Sequence, residues 1–162
     1  LTRLQNQVGE ALISANRNHA DYKKLGVRVI SDSISGYAGP LAGLFAGMQA
    51  VSGDSILSAP CDSPLLASDY AERMCVAANS GQLDAVVAHD GKRLQPVFLL
   101  VSRRLQQSLG DFLARGERKI DLWLEEVSHQ SVDFSDHPDM FLNVNTPEEL
   151  EEMEARVMGN SR

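Results

Sequence analysis

Ser55-Ile56-Leu57-Ser58-Ala59-Pro60-Cys61-Asp62-Ser63-Pro64-Leu65 is the stretch on which the fold turns. Ile56, Leu57 and Ala59 form a short apolar run without helical spacing, which suits a buried strand of a parallel sheet. Pro60 stops the strand, Asp62 follows two residues later, and Pro64 keeps the chain from resuming a ladder. Ligands of open α/β sheets sit beyond the carboxyl ends of the strands, so Asp62 is an acid placed where a ligand would lie. Taken alone, Pro-x-Asp reads more readily as a turn, or as a cap for a helix beginning near Ser68, because Asp and Ser bond to nearby backbone. The neighbouring strands decide between the two.

Working outward, a short strand at 11–13 ends at Ser14-Ala15-Asn16-Arg17, and a short helix follows to Leu25, broken by Gly26. The next strand, 27–30, carries Ser31-Asp32-Ser33 at its carboxyl end. Gly36-Tyr37-Ala38-Gly39-Pro40-Leu41-Ala42-Gly43 then opens a helix reaching about Val51. Pro40 fits the first helical position, where its missing N–H costs nothing. The small residues there leave room either for a ligand at free N–H groups or for close packing on a sheet. Beyond Asp62 the pattern predicts a helix at 68–78, a strand at 85–89, a hairpin turn at Asp90-Gly91 and a strand at 95–101. Helices at 103–114 and 120–127 flank a charged loop. A strand at 130–134 follows, then a last helix from Pro147, with Thr146 and Glu149 as its capping box. Strand and helix alternate, which makes the fold α/β with a mostly parallel sheet.

The chain of 162 residues is one domain on length. Its 22 acidic and 15 basic side chains give a net charge of -7, which argues against a nucleic-acid polymer or an anionic membrane as partner and leaves room for a single nucleotide. Cys61 and Cys75 form no metal-type cluster with the histidines and read as reduced thiols of a cytoplasmic protein. No signal peptide is visible and no apolar run is long enough to span a bilayer. Leu1, Leu4 and Val8 already keep helical spacing with no cap before them, so the chain reads as opening inside a helix.

Polar groups recur at the strand ends: Ser14 with Asn16, then Asp32, then Asp62, and Asn143 with Asn145 before the last helix. Carboxylate and amide oxygens are hard ligands that suit Mg²⁺ completed by water and substrate phosphate. Such a set equips phosphoryl or nucleotidyl transfer, where catalysis is positioning and charge neutralisation. His89, His129 and His137 read as surface residues. Ser58, Ser63 and Ser68 lack the glycines of a nucleophile elbow, and no P-loop or dinucleotide fingerprint is present.

In order and spacing, Ser14-Ala15-Asn16-Arg17, Ile30-Ser31-Asp32-Ser33, Gly39-Pro40-Leu41-Ala42-Gly43, Pro60-Cys61-Asp62-Ser63-Pro64 and Asn143-Val144-Asn145-Thr146-Pro147 resemble the molybdenum cofactor guanylyltransferases. Gly116-Glu117-Arg118-Lys119 and the run from Val132 to His137 resemble them too. The resemblance implies a three-layer, Rossmann-like nucleotidyltransferase fold and transfer of GMP from GTP to the terminal phosphate of molybdenum-molybdopterin. It implies that Asp62 holds Mg²⁺ against the triphosphate, that Asp32 and Ser14 contact the guanosine, and that Asn143 and Asn145 line the pterin side. Ser14 departs from the asparagine common in the family. Arg118 and Lys119 are assigned to the pterin phosphate on charge alone. Other cofactor-maturation proteins and recipient molybdoenzymes are the further partners implied. The family's amino-terminal strand and glycine-rich signature would precede Leu1, so residues 1–162 alone are expected to be inactive and poorly folded. A related nucleotidyltransferase using CTP or a sugar phosphate, and a non-catalytic nucleotide-binding or docking domain, are the competing readings.

Overall fold

The computed structural model describes residues 1–32 and 39–159. Ser33 and the Gly36-Tyr37-Ala38 portion of the glycine-rich opening lie outside the described residues.

Period-two patterning in two strands sets the layers. In β4 (Ala85–His89) and β5 (Leu94–Ser102), successive side chains point to opposite faces of one sheet. Ala85, Val87, Leu99 and Val101 join one core, whereas Val86, Ala88, Phe98 and Leu100 join another. The first core is closed by Leu41, Leu44 and Met48 of α3 (Gly39–Ala50), by Leu109, Phe112 and Leu113 of α5 (Gln106–Ala114), and by Trp123 and Leu124 of α6 (Ile120–Glu125). Tyr70 and Met74 of α4 (Tyr70–Gly81), with Phe134 and Met140, close the second. Helices thus cover both faces, and the fold is three-layered. Trp123, Tyr70 and Phe134 are wholly buried, and truncating any of them to alanine costs about 3–5 kcal/mol.

This sheet has the order β3-β5-β4-β6, with β3 at Ser55–Ser58 and β6 at His129–Asp133. β6 runs parallel to β4, while β5 runs antiparallel to both β3 and β4. Three of the four strands therefore share a direction, and β5 is the reversed one. The sequence reading placed β3 as a buried strand among parallel neighbours; it is instead half-buried and paired antiparallel with β5. The Asp90-Gly91 turn explains the difference, because it folds β5 back between β3 and β4. The ladder slips after Val87, where Ala88 pairs with Gln95, so residues 96–98 bulge. Pro96 has no N–H to offer a ladder. The Ser58 hydroxyl donates to the Val97 carbonyl at 2.7 Å and ties down the bulge.

A second, two-stranded parallel sheet pairs β1 (Leu12–Ser14) with β2 (Arg28–Ile30). Helix α2 (His19–Lys23) connects them, and α3 leads from this sheet to β3. The expected opening helix is one turn, α1 (Thr2–Gln5), and the last is α7 (Pro147–Gly159). The Thr146–Glu149 capping box forms as expected: the Glu149 N–H donates to Thr146 Oγ1 at 3.2 Å, and the Thr146 N–H donates to Glu149 Oε2 at 3.3 Å.

Candidate active site

The parallel register of β1 and β2 sets Ser14 beside Ile30, so the residues that follow each strand emerge side by side. Ala15 adds one more bond, its N–H donating to the Ile30 carbonyl. Asn16 and Asp32 then meet: Asn16 Nδ2 donates to Asp32 Oδ2 at 2.7 Å, and the Asp32 N–H donates to Asn16 Oδ1 at 3.0 Å. The Ser14 hydroxyl donates to Asp32 Oδ1 at 3.2 Å. Each carboxylate oxygen has received one bond and keeps further acceptor capacity.

These residues line a cleft of about 360 Å³, within the usual range for small-molecule sites. Gly39, Pro40 and Gly43 of α3 form one wall, Ile56 to Ala59 of β3 another, and Ile120 of α6 closes part of the rim. Gly43 is required for the close approach: a Cβ there would lie 2.8 Å from Ser14 Oγ and 3.2 Å from Ser14 Cβ. The small residues of the α3 opening therefore pack closely against β1, as the packing reading expects, and Gly39, Pro40 and Gly43 also line the cleft.

Asp62 stands three residues beyond Ala59, in the turn that leaves β3. Its side chain is half-buried and makes no hydrogen bond to any described residue. Helix α4 starts only at Tyr70, eight residues further on. Asp62 thus caps no helix and closes no turn with its carboxylate, which removes the plain structural reading of Pro-x-Asp. The adjacent Ser63 is buried and donates to Asn143 Oδ1 at 2.9 Å, while the Val144 N–H donates to the Asp62 carbonyl at 2.8 Å. Asn145 uses its backbone N–H on Glu149, and its side-chain amide has no partner among the described residues.

Arg118 approaches the cleft through its backbone: a Cβ on Gly39, a lining residue, would lie 3.8 Å from the Arg118 carbonyl. Arg118 Nη1 donates to the carbonyls of Leu113 and Glu117, tying the loop to the end of α5. Lys119 is exposed, and its ammonium has no partner among the described residues. The structure thus gathers Ser14 and Asp32 in the cleft, cross-links the Asp62 turn, which follows cleft-lining Ala59, to Asn143 and Val144, and sets Arg118 and Lys119 just before cleft-lining Ile120. Sequence reasoning missed the role of Ser63, because it depends on a contact between distant segments. It also missed a polar cluster away from the cleft. There Arg73 pairs with Asp136 at 2.9 Å, and His137 Nε2 lies 3.7 Å from both Asp69 and Asp136.

Mg²⁺ takes one or two carboxylates and leaves its other positions to water and phosphate. The half-buried Asp62 carboxylate, a hard donor with no partner among the described residues, fits that demand. No group of three or more His, Cys, Asp or Glu side chains able to hold a metal exists among the described residues.

A three-layer α/β fold with polar residues beyond the carboxyl ends of β1, β2 and β3 is the architecture of a nucleotidyltransferase. The solved structure of molybdopterin-guanine dinucleotide biosynthesis protein A from Archaeoglobus fulgidus superposes with a TM-score of 0.72 at 20% identity, covering 91% of this chain and 78% of that one. A 4-diphosphocytidyl-2C-methyl-D-erythritol synthase from Anaerococcus prevotii shares the fold at a TM-score of 0.68 and 12% identity, over 93% of this chain and 79% of that one. The model of the MobA-like NTP transferase domain matches residues 1–131. A molybdenum cofactor guanylyltransferase from Shewanella sediminis is 45% identical over 157 residues, 97% of this chain and 80% of that protein. The chain belongs to the MobA-like NTP transferase family, among the molybdenum cofactor guanylyltransferases.

Proposed function

We propose that the protein transfers GMP from GTP to molybdenum-molybdopterin. The terminal phosphate oxygen of the pterin bonds to the α-phosphorus of GTP, the bond from that phosphorus to the bridging oxygen breaks, and pyrophosphate leaves. The observation that carries this reading is the Asp62 carboxylate, without a partner among the described residues and three residues beyond Ala59, which lines the same cleft as the Asn16–Asp32 pair.

Each residue then has a task. Asp32, oriented by Asn16 and Ser14, accepts from the N1–H and N2 amino groups of guanine, donors that cytosine does not present together. Gly43 and Gly39 let the nucleotide approach α3. Asp62 holds Mg²⁺, which supplies charge neutralisation for the triphosphate and the leaving pyrophosphate. Lys119 and the side-chain amide of Asn145, neither with a partner among the described residues, are polar groups available to the pterin phosphate, with Arg118 fixing the loop that carries Lys119. A cytoplasmic setting suits the two exposed free cysteines.

A CTP-dependent transferase is the second reading, favoured only by the shared fold of the cytidylyl enzyme. The Asp32 carboxylate at the cleft favours guanine. In the full-length protein, Asp62→Asn is expected to lower turnover by about 10²–10⁴-fold, the several kcal/mol that metal-assisted charge stabilisation is worth. The melting temperature should stay close to wild type. Near-normal turnover in that variant would remove the metal role, and turnover with CTP equal to that with GTP would remove the base assignment. Tight GTP binding without pyrophosphate release would make the protein a binding module.

A further inference from the structure

We propose that Ser63 and Asn143 form a strut that positions Asp62, so that Asn143 serves the reaction through the Asp62 turn and not through contact with the pterin. The inference rests on Asp62 being the metal-holding carboxylate.

Ser63 is buried, at 7% exposure. A hydroxyl so placed needs a partner, and its acceptor is Asn143 Oδ1, 80 residues away in the chain. The next residue along each segment repeats the link through backbone, with the Val144 N–H donating to the Asp62 carbonyl at 2.8 Å. Two bonds on adjacent residues fix both the position and the rotation of Asp62. The turn has little else to hold it: it lies outside any strand ladder, and Pro60 and Pro64 on either side lack N–H donors.

The other end of the strut is itself anchored. Phe141 packs edge-on against Phe98 of β5 with ring centroids 5.0 Å apart, and Met140 is buried in the second core. Beyond Asn145, the Thr146–Glu149 capping box fixes the start of α7. Asn143 is therefore an exposed residue on a rigid support whose side-chain oxygen is already committed to the turn carrying Asp62.

The test uses the full-length protein with GTP, Mg²⁺ and molybdopterin, and compares Ser63→Ala, Asn143→Ala, the double variant, Ser63→Thr and Asp62→Asn. A displacement of about 1 Å at a reacting centre costs on the order of 10²-fold in rate. Each alanine variant is expected to lower kcat by about 10–10²-fold and to raise the Mg²⁺ concentration needed for half-maximal rate, with the KM for molybdopterin within about twofold of wild type. The double variant should be no slower than the slower single one, and Ser63→Thr, which keeps the hydroxyl, should restore most of the rate. A raised pterin KM in Asn143→Ala with kcat kept, or fully multiplicative losses in the double variant, would overturn the strut. Asn143 is exposed, so its variant stays informative if Ser63→Ala fails to fold. Normal turnover in Asp62→Asn would instead overturn the reading on which the strut rests. An inactive Asp62→Asn beside normal Ser63→Ala and Asn143→Ala would overturn the strut alone.

Discussion

Asn16 and Asp32 hold each other twice: the Asn16 amide donates to the Asp32 carboxylate at 2.7 Å, and the Asp32 N–H donates back to Asn16 Oδ1 at 3.0 Å. The pair closes a ring across the ends of two parallel strands and sets the carboxylate's direction before any ligand arrives. Orientation supplied in advance is affinity that the ligand does not have to provide. Asn16→Ala is therefore expected to weaken GTP binding about tenfold, or 1.4 kcal/mol, by letting Asp32 rotate. Asp32→Ala should weaken it further and leave pterin binding nearly unchanged. Titration calorimetry with each substrate measures this. An equal loss of GTP and pterin affinity in Asp32→Ala would show that the pair supports the fold and reads no base.

Gly43 tests how tightly α3 lies on that pair. An alanine methyl there would sit 2.8 Å from Ser14 Oγ, closer than a van der Waals contact allows, so Ser14 or the helix must move. Overpacking of this kind costs about 1–3 kcal/mol. Gly43→Ala should lower the urea midpoint and weaken GTP binding together. Adding Ser14→Gly, which removes both crowding atoms, should recover stability. Failure of the second change to restore the midpoint would place the strain elsewhere.

Most elements were legible because they rest on local rules. The period-two runs of β4 and β5, the Asp90-Gly91 turn and the Thr146–Glu149 box each depend on residues within a few positions of one another. The reversed direction of β5 between β3 and β4 was less visible, since pairing partners are chosen by tertiary packing. The site divided in the same way. Asp62 and Asp32 could be found as acids following strands, a pattern written in the chain itself. Ser63 drew notice only as a serine without a nucleophile elbow, because its partner Asn143 is remote in sequence. Arg118 was assigned on charge alone, and its Nη1 bonds to the Leu113 and Glu117 carbonyls, which hold the loop, had no local signal to announce them.

Gln7 shows the same long-range dependence in the fold. Asp69 precedes α4 but makes no capping bond to it. Instead Gln7 Oε1 accepts the Ala71 N–H at 2.9 Å, while Gln7 Nε2 donates to the Ala67 carbonyl at 2.8 Å. Arg3 adds a bond to the Leu66 carbonyl at 3.1 Å. A side chain from the first ten residues thus caps a helix some 64 positions away. Gln7→Ala should cost about 1–2 kcal/mol, the range of a lost cap. Amide exchange should rise first at the start of α4. Unchanged protection of the Ala71 amide would mean that the cap contributes nothing in solution.

Asp90 governs the hairpin on which the order of the sheet depends, and it titrates. Its Oδ1 accepts the Lys92 and Arg93 N–H groups, each at 2.8 Å, and its Oδ2 accepts from Gln95 at 2.7 Å. Those backbone donors, Arg93 first, lower its pKa from 3.8 to about 2. A depressed folded-state value means that the ionised carboxylate stabilises the native state above the unfolded pKa. That contribution fades as pH falls from about 4 towards about 2. Asp90→Asn keeps an oxygen for the backbone donors and abolishes the titration. The variant should therefore be less stable than wild type at neutral pH, with the gap closing across that acidic window. Asp133 and Asp136 are shifted the same way, by the Ser135 N–H and by Arg73 respectively, so the variant should still lose stability in acid, with a shallower slope. Urea midpoints measured across the window decide the matter. A gap between the two proteins that stays constant down to pH about 2 would show that the Asp90 charge contributes nothing to holding the turn.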